Sequence, residues 1–216
     1  MPDITLTGPA GRIEAKYFPA SDPAAPIAVI LHPHPVKGGT MNNKVTYRLY
    51  EAFAKAGITV LRFNFRGVGN SEGKYDEGIG ELTDAAAAVD WLHSKHPHTK
   101  RIWLAGFSFG AWIAMQLIMR RPDIHHFIAV SPPVGMEGYD FNFFSPCPAS
   151  GLVLVGSKDE LIRPSDVAAL LKKTVRQKGV KLHYAEIPEG DHFFTRQQDE
   201  LSKMVLAYIR QTEAHH

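Results

Sequence analysis

The sequence predicts an α/β protein, with a mostly parallel sheet covered by helices on both faces. Three observations carry that prediction. Five short, largely apolar runs recur, at Ile27–Leu31, 58–65, Ile102–Phe107, 127–130 and 152–155. Strands shielded on both faces read this way because neither face meets water. Segments with helical period lie between and after them, such as Leu82, Ala85, Ala86, Val89 and later Leu201, Met204, Val205, Tyr208, Ile209. No internal repeat or linker-like tract divides the 216 residues, so residues 1–214 read as one domain. His215-His216 look like the remnant of a purification tag and carry no argument.

In chain order, residues 4–7 and 12–18 alternate apolar and polar around Gly8-Pro9-Ala10-Gly11, which predicts an opening hairpin. The run 58–65 leads into Arg66-Gly67-Val68-Gly69-Asn70-Ser71-Glu72-Gly73. Spaced glycines after a strand can cradle a dinucleotide, but the third glycine falls one position late and no helix opens there, so no nicotinamide cofactor is expected. A strand-like run ends near Ile187, and Thr195 and Gln198 have capping-box spacing ahead of the last helix. Alternating strands and helices imply right-handed crossovers. Chemistry is then expected beyond the carboxyl ends of the strands.

Composition narrows the partners. The 24 basic and 22 acidic residues nearly cancel and the basic ones cluster only in pairs, which predicts no nucleic-acid surface. No apolar run approaches the ~20 residues of a membrane span, and the N-terminus lacks a leader pattern, so a cytoplasmic location is expected. The single cysteine, Cys147, excludes an internal disulfide. Homo-oligomerisation is left open.

Gly106-Phe107-Ser108-Phe109-Gly110 fits G-x-S-x-G, preceded by a strand and followed by the helical run 111–119. That context gives the motif its meaning: the chain reverses within one residue and lifts the Ser108 hydroxyl above the sheet as a nucleophile. A hydroxyl needs a base to take its proton. Of the 11 histidines, His192 in Glu189-Gly190-Asp191-His192 lies on a turn before the last helix, where this fold order expects the base. The orienting carboxylate should follow a strand between them, and Gly156-Ser157-Lys158-Asp159-Glu160 follows the run 152–155. Asp159 is the choice, with Glu160 the nearest substitute. Two backbone N–H groups should hold the oxyanion. One is that of Phe109. The other comes from His32-Pro33-His34-Pro35, where His34 is the only donor between two prolines. His32 and His34 as metal ligands lack partners at suitable spacing, so no metal is expected.

With these residues in place, the chain resembles the small α/β-hydrolases related to dienelactone hydrolases and short-chain carboxylesterases. His32-Pro33-His34-Pro35 with Gly38-Gly39-Thr40-Met41-Asn42-Asn43-Lys44 is similar to the signature of a bacterial subgroup. The resemblance implies an α/β-hydrolase sheet of about seven or eight strands and gives the same roles to Ser108, Asp159, His192, His34 and Phe109. It departs at the nucleophile, since dienelactone hydrolases of this kind commonly use cysteine. A serine hydrolase acting on small acyl esters through an acyl-enzyme, with no cofactor, is the expected function. A thioesterase or peptidase would share the triad. A dehalogenase would need a carboxylate at position 108, and a binding protein on this fold would usually lose a triad position. The short, proline-bearing stretch between Val130 and Leu152 leaves no room for a separate cap domain, and Phe141, Phe143 and Phe144 within it are expected to wall a substrate pocket.

Overall fold

One eight-stranded sheet, ordered β1-β2-β4-β3-β5-β6-β7-β8, organises the computed structural model, which describes residues 3–214. His215-His216 lie outside the described residues. Strands β1 (Asp3–Gly8) and β2 (Gly11–Phe18) form the expected hairpin, and β2 pairs antiparallel with β4 (Thr59–Phe63). Strands β3 (Ile27–Leu31), β5 (Ile102–Phe107), β6 (His126–Val130), β7 (Ser150–Gly156) and β8 (Leu182–Ile187) continue the sheet in parallel. The run 58–65 is shortened because Asn64 and Phe65 give their amides to Glu14 and His32, outside the ladder.

Strand residues alternate between two cores. Ile27, Val29 and Leu31 enter one, and Ala28 and Ile30 the other. Helices α2 (Ile79–Lys95), α3 (Phe109–Ile118) and α4 (Pro164–Lys173) cover the first face. Helices α1 (Lys44–Lys55) and α5 (Gln198–Glu213) cover the second. Burial on both faces is what made the central strands continuously apolar.

The expected cap of α5 is corrected. The helix starts at Gln198 with Gln197 before it and no side-chain cap, while the Gln198 amide group bonds back to the Phe193 carbonyl at 2.6 Å. The glycine-rich stretch after β4 is held structurally: Arg66 at its head pairs with the buried Asp84 of α2 at 2.7 Å. Among the described residues, no helix is long and apolar enough to cross a membrane.

Candidate active site

Ser108 sits between β5 and α3 with φ 53° and ψ −117°, a left-handed-side conformation that L-residues rarely adopt. Its amide bonds the Val130 carbonyl at 2.8 Å, which ties the turn to β6. The glycines make the reversal possible. A Cβ on Gly106 would lie 2.3 Å from the Gly110 carbonyl oxygen, and one on Gly110 would lie 2.4 Å from that of Leu31. The first contact lets strand and helix close on each other, and the second lets the start of α3 rest on the end of β3.

His192 lies in the turn between β8 and α5 and is 2% exposed. Its Nε2 is 3.3 Å from Ser108 Oγ, and its Nδ1 is 3.0 and 2.9 Å from the two Asp159 oxygens. Edge and face contacts with Phe193 and Phe107, at ring separations of 5.1 Å, fix the imidazole plane. The loops carrying Asp159 and His192 are clamped together. Gly156 approaches the Gly190 carbonyl more closely than a Cβ would allow, Lys158 donates its amide to that carbonyl, and the Ser157 hydroxyl accepts the Glu189 amide.

Burial opposes the charge on Asp159. The hydrogen bond and charge of His192, the Ile162 amide and the nearby Ser131 hydroxyl outweigh it and hold the carboxyl below its ordinary pKa. Glu160, the alternative acid, accepts the His192 backbone amide at 3.2 Å, and Asp191 accepts that of Thr195. Neither competes for the ring.

His34 and Phe109 converge from two sides, their rings 5.3 Å apart. Among the described residues neither backbone N–H has a hydrogen-bond acceptor, as expected of amides kept for a ligand. His32 is fully buried, with Nδ1 2.6 Å from the Pro33 carbonyl and Nε2 3.0 Å from the Phe65 amide nitrogen. Burial lowers its pKa to about 4. Burial, and then the charge of Lys37, also lowers that of His34.

A cleft of about 160 Å³ opens over Ser108 and His192. The loop after β3 contributes Pro33, His34, Lys37 and Asn43, the excursion after β6 contributes Pro133, Met136 and Tyr139, and Leu161 and Phe193 complete it. The expected wall of Phe141, Phe143 and Phe144 is corrected, since none of them lines this cleft. Phe144, 1% exposed, packs edge-on against Phe127, while Phe143 stacks on the buried Phe141 against the core. Tyr139 takes their place, held 5.1 Å from the Trp112 ring. The sequence reading also missed Ser131, fully buried at the end of β6 with φ 43°. Its position directly after a strand was the available signal.

A serine raised by such an elbow over the carboxyl end of a parallel sheet is the mark of an α/β-hydrolase, and the chain has that fold. A profile described as X-Pro dipeptidyl-peptidase (S15 family) matches residues 12–204, and the chain belongs to that family. An uncharacterised protein of Rickettsia prowazekii is 49% identical over all of this chain and 92% of its own length. Among solved structures, a protein of unknown function from Agrobacterium tumefaciens, assigned to the alpha/beta hydrolases, is 47% identical. It superposes with a TM-score of 0.94, covering 100% of this chain and 98% of that one. An α/β serine hydrolase without lid from Xanthomonas campestris is 32% identical, with a TM-score of 0.86 over 97% of this chain and 94% of that one.

Proposed function

We propose that this chain is a serine hydrolase that cleaves small acyl esters through an acyl-enzyme. The observation that carries the reading is the unbroken relay from Ser108 Oγ to His192 at 3.3 Å and from His192 to Asp159 at 2.9 Å. His192 removes the serine proton as Oγ attacks the ester carbonyl, and Asp159 steadies the imidazolium that forms. The His34 and Phe109 amides receive the oxyanion. Collapse expels the alcohol, which takes the proton from His192. Water then repeats the sequence and releases the acid. The cleft of about 160 Å³, below the ~300 Å³ at which drug-sized pockets begin, supports a short acyl group.

A second reading, peptide cleavage, draws support from the family description. Release of a dipeptide requires capture of the substrate's terminal ammonium, which calls for an anion. Among the described residues lining the cleft there is no Asp or Glu, and Lys37 is the one basic residue beside its histidines, so the ester reading is preferred.

The test is intact mass after treatment with a fluorophosphonate, followed by a rate comparison on p-nitrophenyl acetate and Gly-Pro-p-nitroanilide. One adduct on the wild type, none on Ser108→Ala, and turnover of the ester alone are expected. An unlabelled wild type would sink the hydrolase reading, and preferential turnover of the anilide would replace the ester reading with the peptidase one.

A further inference from the structure

We propose that His32 is a positioning residue for the oxyanion hole: by gripping the Pro33 carbonyl, it turns the His34 N–H toward the cleft. The proposal rests on the reading above that the His34 amide receives the oxyanion.

A backbone N–H can only donate, so the 3.0 Å contact from Phe65 makes His32 Nε2 the acceptor and puts the ring proton on Nδ1. Nδ1–H then donates to the Pro33 carbonyl at 2.6 Å. That carbonyl and the His34 N–H belong to one planar peptide unit and point in opposite directions when the bond is trans. Holding the oxygen therefore aims the hydrogen. The next peptide unit is held as well, because the His34 carbonyl accepts the amides of Lys37 at 3.2 Å and Gly39 at 3.0 Å. Gly39 comes so close that a Cβ there would stand 2.1 Å from the Pro33 oxygen. Prolines on either side of His34 restrict the remaining rotations. With both flanking carbonyls engaged, the His34 N–H is left without an acceptor beside the cleft it lines.

A purely structural role would make His32 a staple between the ends of β3 and β4. The two bonds of the ring separate these roles. His32→Asn puts an N–H donor where Nδ1 stands and loses the acceptor to Phe65. His32→Gln can accept from Phe65 and loses the grip on Pro33.

The experiment measures kcat and KM for p-nitrophenyl acetate in both variants, inhibition by a simple alkylboronic acid, and thermal midpoints. If the grip aims the N–H, His32→Gln loses roughly 100-fold in kcat, the size of one oxyanion donor, with KM little changed and boronate binding weakened in parallel. His32→Asn retains kcat within about tenfold of wild type, even where its midpoint falls further, because the aimed donor survives. Equal losses in both variants, or a His32→Gln enzyme at wild-type kcat, would overturn the proposal. Should neither variant fold, proton–nitrogen correlation of the imidazoles in the wild-type protein decides it: the Nδ1–H tautomer at His32 is required, and Nε2–H refutes it. Fluorophosphonate labelling of the wild type keeps the outcomes distinct, because an unlabelled protein counts against the hydrolase reading and a labelled one leaves His32 to be judged on its variants.

Discussion

At the scale of single residues, His32 also gives the protein a measurable pH response. Its pKa falls from 6.5 to about 4 because burial excludes the charged ring. Between those values the unfolded chain takes up a proton that the folded chain refuses, so stability declines as pH falls through that interval and levels off below it. The decline attributable to His32 is about 3 kcal/mol. Urea midpoints measured from pH 7 to pH 4 should fall, and His32→Gln should flatten most of the slope. His34, lowered in the same direction, supplies part of the remainder. Asp159 acts in a different window. Its pKa lies below 3.8, so its stabilising contribution is lost only as pH falls through that lower value. That Ser108, His192 and Asp159 come together was legible in the sequence, because the proposed chemistry restricts them to few residue types in a fixed order after strands. His32 was legible only as a candidate metal ligand, since nothing in the spacing of His32-Pro33-His34-Pro35 reveals that both ring nitrogens are taken by backbone groups.

At the scale of elements, close backbone approach positions the site. Gly110 lets the first turn of α3 lie against Leu31 and His32, where a Cβ would be 2.4 and 2.6 Å from their carbonyl oxygens. Gly110→Ala should cost roughly 1–3 kcal/mol of stability by overpacking. Because it also moves the Phe109 amide, it should cost up to ~100-fold in kcat. Denaturant titration and ester kinetics on the same preparation check both. The parallel strands were readable because two-faced burial leaves an apolar run. Helices α1 and α4 were not singled out, although Val45, Leu49, Ala52 and Phe53 lie on one buried face of α1. The Gly38-Gly39 and Asn42-Asn43 pairs just ahead read as loop and obscure the start of that helix. The α5 start was misread because spacing suggested Thr195 as a cap, whereas residues 194–197 form a turn in which the Gln197 amide bonds the Phe194 carbonyl. The phenylalanine wall failed for a related reason: aromatic residues in a loop fit a core as readily as a cleft, and Phe127 on β6 offered Phe144 a core partner.

At the scale of the whole molecule, no helix separates β6 from β7 and, among the described residues, no cap-like element stands over Ser108. Leu161 and Phe193, 49% and 47% exposed, lie at the cleft directly in contact with solvent. Ester hydrolysis should therefore follow simple saturation as substrate concentration rises through its aggregation point. An abrupt rate increase at that point would indicate an opening step that this architecture does not contain. The two-core sheet also divides the three proposed triad residues unevenly. Asp159 and His192 hang from β7 and β8 and are laced to each other through Gly156 and Gly190, whereas Ser108 belongs to β5 and α3. The 3.3 Å link between Oγ and Nε2 is the longest in the relay and the one that bridges those halves. It is therefore the contact in the relay most sensitive to a relative shift of those elements, since the Asp159–His192 pair is held by its own loop contacts.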